Sequence, residues 1–120
     1  MLRQPFQVQE VAGLPVVVAP PEIDISNSAQ LRSALLHAAA IGPVVVVDLS
    51  RTEFCDSSGL SVLVRARRRA QADGGEVRLV VCTRAVRRIL AVTGVESIFA
   101  LFANVEEALS VPPPELAPAT

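Results

Sequence analysis

Phe54-Cys55-Asp56-Ser57-Ser58-Gly59-Leu60 follows an apolar run, Val44–Leu49, and opens a long stretch of helical periodicity. A strand, a short loop and a helix in that order expose the first helical N–H groups at the loop. Those groups and the helix dipole favour negative charge, so a hydroxyl placed there can carry a phosphate. Asp, Ser and Gly are equally the ordinary residues of an N-cap and a turn. From the residues alone, both readings stand.

Upstream of this stretch, Val44–Leu49 lacks polar alternation and predicts a strand buried on both faces. Gly42-Pro43 ends a helix that starts at Asn27 or Ser28 and runs to about Ala40. Leu31, Ala34, Leu35 and Ala38 give it one apolar face, and Gln30 stands at capping-box spacing from Asn27. Gln7–Val11 and Val16–Ala19 read as the strands of a hairpin across Ala12-Gly13-Leu14-Pro15, with Pro20-Pro21 stopping the second.

Downstream, the spacing predicts a helix over Ser57–Asp73, with Leu60, Leu63 and Val64 inward and Arg65, Arg68 and Arg69 outward. Gly74-Gly75 terminates it. Val77–Cys82 reads as another buried strand, and Thr83 as the cap of a helix over Arg84–Thr93. Val86, Ile89, Leu90 and Thr93 face inward there, and Gly94 closes the helix. Ser97–Phe102 is the last predicted strand. Asn104 and Glu107 form a second capping-box match, opening a short helix to about Ser110. Residues 5–110 are then one domain, and residues 111–120, with Pro112-Pro113-Pro114, are expected to be a disordered tail.

The order β-β-α-β-α-β-α-β-α predicts an α/β fold. Its mixed, mostly parallel sheet of about five strands opens with a β-hairpin and packs with about four helices. The C-terminal ends of the parallel strands should share one rim, where open α/β sheets carry their sites. Pro20–Asn27, Glu53–Gly59 and Cys82–Arg84 become neighbours there. Glu22, Asp24 and Asp56 would bring carboxylates near Ser57, with Arg84 as a counter-charge.

Composition narrows the chemistry. The 120 residues suffice for one core, and the absence of Trp and Tyr leaves Val, Ala and Leu to build it. A net charge of −1 gives no electrostatic case for direct nucleic-acid binding. No apolar run approaches the ~20 residues of a membrane span, and no signal peptide opens the chain, so a cytoplasmic protein is expected. His37, the only histidine, lies inside a helical pattern, and neither Cys55 nor Cys82 has companions at metal-site spacing. A Cys55–Cys82 bridge on the shared rim is disfavoured by cytosolic chemistry.

Cys82 and Arg88 have the Cys-x5-Arg spacing of thiolate phosphatases. The intervening loop has no Gly, and Ile89 follows the Arg where Ser or Thr is usual. No Gly-rich nucleotide loop follows any strand. No catalytic residue, cofactor or metal is therefore expected. The arginines at 65, 67, 68, 69, 84, 87 and 88 read first as solvated helix faces, and second as a lipid or nucleic-acid surface.

Over residues 5–110 the chain resembles a STAS domain of the bacterial anti-sigma factor antagonist type. The resemblance rests on Glu22-Ile23-Asp24 before Leu31-Arg32 and on Val45-Val46-Val47-Asp48-Leu49-Ser50. It continues through Phe54–Leu60, Gly74-Gly75-Glu76-Val77 and Val86-Arg87-Arg88-Ile89-Leu90. Pro21 and Ser61 stand where the family commonly has Gly. The resemblance implies a regulator without enzymatic activity of its own. It makes Ser57 the residue phosphorylated by an anti-sigma factor with serine kinase activity, with the adjacent Ser58 as second candidate. A PP2C-type phosphatase would reset the modified form. Unphosphorylated, the chain would bind the anti-sigma factor and release a sigma factor. Glu22 and Asp24 match acidic positions of the family's partner-binding rim; together with Asp56, Ser57, Ser58, Gly59 and Arg84, which the strand order puts on the same rim, they are the expected partner-binding residues. The alternative is an accessory STAS subunit of a transporter or signalling scaffold, without a phosphoswitch. Self-association is left open by the sequence.

Overall fold

A computed structural model describes residues 5–113. Strands β1 (Gln7–Val11) and β2 (Leu14–Val18) form the opening hairpin. A two-residue segment β3 (Glu22–Ile23) leads to helix α1 (Ser28–Ile41) and strand β4 (Val44–Asp48). Another short segment, β5 (Phe54–Cys55), precedes helix α2 (Ser57–Ala72), strand β6 (Glu76–Val80) and helix α3 (Arg84–Val92). Strand β7 (Ala100–Phe102) and helix α4 (Val105–Ser110) complete the described chain.

The main sheet has the order β1-β2-β4-β6-β7, antiparallel only at β1–β2. Each parallel connection steps to the next strand in the same direction. With the right-handed crossovers that L-residues favour, all three connecting helices land on one face. Side chains of α1, α2 and α3 accordingly share one core with Val17, Val45, Val47, Val77 and Leu79. The opposite face buries Val16, Val46 and Val80 beneath Ala108 of α4. The expected sheet and its four helices are present.

The differences from the sequence expectation are local. Ala12 and Gly13 both have positive φ, the signature of a two-residue I′ hairpin turn, so β2 starts at Leu14 instead of Val16. Strand β6 ends at Val80, short of Cys82. The last strand starts at Ala100 instead of Ser97, because a 3-10 turn over Val95–Ser97 follows Gly94, which turns the chain at φ 75°. Thr93 is exposed instead of inward; its hydroxyl donates to the Ile89 carbonyl at 2.7 Å. Val64 is half-buried, while Leu60 and Leu63 are buried. Asn27 makes no capping bond to α1.

Gly74-Gly75 ends α2 as expected. The Gly75 N–H donates to the Ala70 carbonyl at 2.7 Å, and Gly74 to Gln71 at 3.1 Å, the paired bonds of a Schellman turn. A Cβ on Gly75 would lie 2.0 Å from the Pro43 carbonyl oxygen, so this crossing accepts only glycine.

Arg78 departs furthest from expectation. It lies in the middle of β6 with no exposed surface. Its guanidinium meets the Glu76 carboxylate at 2.8 Å. It also donates to the carbonyls of Ala108, Val111 and Pro112 at 2.7, 2.9 and 2.8 Å. The first residues of the expected tail are therefore bonded to the sheet; residues 114–120 lie outside the described residues.

Candidate functional site

The three segments expected at the rim are joined there by hydrogen bonds. Thr52 is buried: its hydroxyl donates to the Pro20 carbonyl at 2.9 Å, and its own carbonyl accepts from the Thr83 hydroxyl at 2.6 Å. The loops after β2, β4 and β6 are thus clamped through one residue, by its hydroxyl on one side and its backbone carbonyl on the other. Thr83 also accepts from the Val86 N–H, capping α3 as expected. Sequence reasoning missed Thr52, because a single Thr in a polar loop carries no periodic signal.

A second connection missed in the sequence is the parallel pairing of β3 with β5. Glu22 stands opposite Phe54 and Ile23 opposite Cys55. The Asp56 N–H then donates to the Ile23 carbonyl at 3.1 Å. This pair carries the Glu22–Asn27 loop directly to the start of α2. Within that loop, Asp24 accepts from the Ser26 N–H at 2.9 Å, and the Asn27 amide donates to the Glu22 carbonyl at 2.8 Å. Asn27 therefore braces the acidic loop.

Asp56 is the N-cap of α2. One carboxylate oxygen accepts from the Ser58 N–H at 2.9 Å, the Gly59 N–H at 3.3 Å and the Ser58 hydroxyl. The Ser58 hydroxyl bond is the main cause holding the Asp56 carboxyl below its ordinary range, with the N–H groups of Gly59, Ser58 and Ile25 adding to it against desolvation. The two serines are consequently unlike. Ser58 is half-buried and tied to Asp56. Ser57 is exposed, and its hydroxyl has no hydrogen-bond partner among the described residues.

Gly59 is buried behind them. A Cβ there would lie 2.6 Å from Ile23 Cγ2 and 2.7 Å from Cys55 Sγ. Glycine lets the first turn of α2 press onto the β3–β5 pair, so this residue shapes the loop from behind. Cys55 is buried, and desolvation, with the Asp56 charge beside it, pushes its thiol up to about 12. It remains a protonated core thiol at neutral pH.

Both cysteines are free, Cys55 buried and Cys82 exposed, so the bridge considered above is not formed. The Cys82 thiol donates to the Ala103 carbonyl at 2.9 Å. Arg84 is exposed at the rim on the first turn of α3 and makes no ion pair with Glu22, Asp24 or Asp56 among the described residues. Glu22 is exposed and Asp24 half-buried.

Two apolar side chains complete the rim. Ile25 is 78% exposed and Phe54 is 47% exposed, on either side of the β3–β5 connection. Carboxylates, a free hydroxyl and unburied apolar surface at one place suit protein docking better than catalysis. Among the described residues, no cluster of three His, Cys, Asp or Glu could hold a metal, and no helix is long and apolar enough to cross a membrane.

The family profile described as STAS domain matches residues 5–108. The anti-sigma-F factor antagonist RsfB of Mycobacterium tuberculosis is 32% identical over 101 residues, covering 82% of this chain and 80% of RsfB. The crystal structure of an anti-sigma factor antagonist from Mycobacterium paratuberculosis superposes with a TM-score of 0.79 at 30% identity, over 88% of this chain and 90% of that one. The murine Solute Carrier 26 family member A9 anion transporter matches 84% of this chain with 18% of its own, at TM-score 0.67 and 20% identity, a likeness of fold alone. The chain belongs to the STAS domain family, among the anti-sigma factor antagonists.

Proposed function

We propose that this chain binds an anti-sigma factor through the rim around Ser57, and that phosphorylation of Ser57 by that partner's serine kinase activity releases it. Binding the anti-sigma factor frees a sigma factor, and a PP2C-type phosphatase restores the binding form. The observation that carries this reading is the asymmetry of the two serines: Ser58 is spent on Asp56, whereas Ser57 presents an unbonded, exposed hydroxyl. Glu22, Asp24 and Arg84 supply polar contacts around it, and Ile25 and Phe54 supply the apolar surface that a partner would bury.

The charge arithmetic supports a switch. A phosphate on Ser57 brings roughly −1.5 to −2 charges to a spot already flanked by Asp24 and Asp56. The N-terminus of α2 tolerates it in the free protein. In a docked complex an uncompensated charge costs on the order of 2–5 kcal/mol, so affinity falls about a hundredfold or more.

Partner affinity should be measured for the wild type, Ser57→Ala and Ser57→Asp, with phosphate transfer followed in kinase and ATP. The expected result is binding by Ser57→Ala, loss of about a hundredfold in Ser57→Asp, and transfer that disappears only when Ser57 is replaced. Undiminished binding by Ser57→Asp without transfer to the wild type would defeat the proposal. Co-purification with a transporter subunit instead would favour the accessory role.

A further inference from the structure

Away from the rim, α1 and α2 do not close completely over the sheet. A groove of about 380 Å³ remains between them, walled by Leu36 and Ala39 from α1 and by Val62 and Ala66 from α2. The alanines leave the space, and Leu36 is 41% exposed at its edge. Arg32 from α1 and Arg65 and Arg69 from α2 surround it. Arg65 and Arg69 are four residues apart and share one helical stripe. All three arginines are exposed, and none has an ion-pair partner among the described residues, including Asp73, the single carboxylate on the groove. A solvated helix face accounts for arginine on α2. It does not account for an apolar groove ringed by arginines from two helices.

We propose that this groove binds the anion of a free medium- or long-chain fatty acid, the acyl chain between α1 and α2 and the carboxylate on the arginines. The volume lies at the small end of the range for ligand sites, roughly 300–1,000 Å³. The lining has no aromatic residue to stack a base, which argues against a nucleotide. Three cations against one carboxylate select an anionic head. Exposed guanidiniums contribute little affinity by themselves, so burial of the chain must dominate. Each methylene that leaves water is worth about fourfold in affinity.

The test is titration of the full chain with octanoate, decanoate and dodecanoate below their micelle concentrations, by calorimetry and by backbone amide shifts. Affinity should rise about sixteenfold for each two added methylenes until the groove is filled. The shifts should map to α1 and α2, leaving Ser57 outside the binding footprint. Replacing Arg65 and Arg69 together by Glu should weaken decanoate at least about tenfold. Ala66→Trp, which fills the groove, should abolish binding while circular dichroism stays native. In the unaltered protein, decyltrimethylammonium should bind at least about tenfold more weakly than decanoate. Affinity independent of chain length, equal binding of the cationic amphiphile or shifts elsewhere on the surface would overturn the assignment. Binding to anionic vesicles without response to monomeric fatty acid would also overturn it, assigning the arginines to a membrane surface.

Discussion

Asp56 and Arg78 each use one ionised side chain to finish the backbone of a helix, at opposite ends of the chemistry. Asp56 is a carboxylate on the rim that collects the free N–H groups at the start of α2. Arg78 is a guanidinium beneath the sheet that collects carbonyls at and beyond the end of α4. The anion is solvated and acts on its immediate neighbours. The cation is fully buried and reaches residues thirty or more positions away. The first arrangement costs little and leaves a loop that can be modified or covered. The second removes a charge from water and is tolerable only because Glu76 and three carbonyls satisfy it.

That contrast can be broken most severely at Arg78. Arg78→Leu should cost about 3 kcal/mol or more in urea unfolding, because it strands the Glu76 carboxylate and three carbonyls together. A loss below about 1 kcal/mol would mean that water replaces the guanidinium and that α4 is held by its apolar contacts alone.

A smaller effect is expected behind the rim. Gly59→Ala brings a methyl group within 2.6 Å of Ile23 and 2.7 Å of Cys55. The resulting shift of α2 should cost about 1–3 kcal/mol, seen as a lower thermal midpoint. It should also change the amide signals of Ser57 and Ser58. An unchanged midpoint would show that the β3–β5 pair yields easily.

The smallest effect belongs to Asp56 and appears only in acid. Its folded pKa lies below the ordinary 3.8, chiefly through the Ser58 hydroxyl. The stabilisation it provides is therefore complete above pH 3.8 and is lost as pH falls through the folded value. Denaturation midpoints measured from about pH 5 to about pH 2 should show a shallower acid limb in Asp56→Asn than in the wild type. Identical limbs would remove Asp56 from the acid response.

The same contrast explains what the sequence made legible. The Asp56 cap is local: donor and acceptor are three residues apart or fewer, and Asp-Ser-Ser-Gly ahead of a periodic apolar run announces it. Val44–Asp48 and the heart of α2 are legible for the same reason, since period and composition are read within one element. Arg78 could not be read that way. Within Glu76-Val77-Arg78-Leu79-Val80 an arginine looks like the polar member of an alternating strand, and its burial is decided by carbonyls far along the chain. The β3–β5 pair was missed because two residues carry no periodicity, and Thr52 because its partners lie in two other loops. The later start of β7 was hidden because Ile98 and Phe99, ahead of Ala100, suit a strand equally well.

The bonds from Arg78 to Val111 and Pro112 also fix where the last described residues lie. They stand on the sheet face opposite α1, α2 and α3, beside α4, instead of at the rim. A fluorophore, affinity handle or surface tether attached at Pro113 would start on the side turned away from the α1–α2 groove. Binding at Ser57 and binding in the groove could then be followed on one immobilised molecule with both surfaces facing solution.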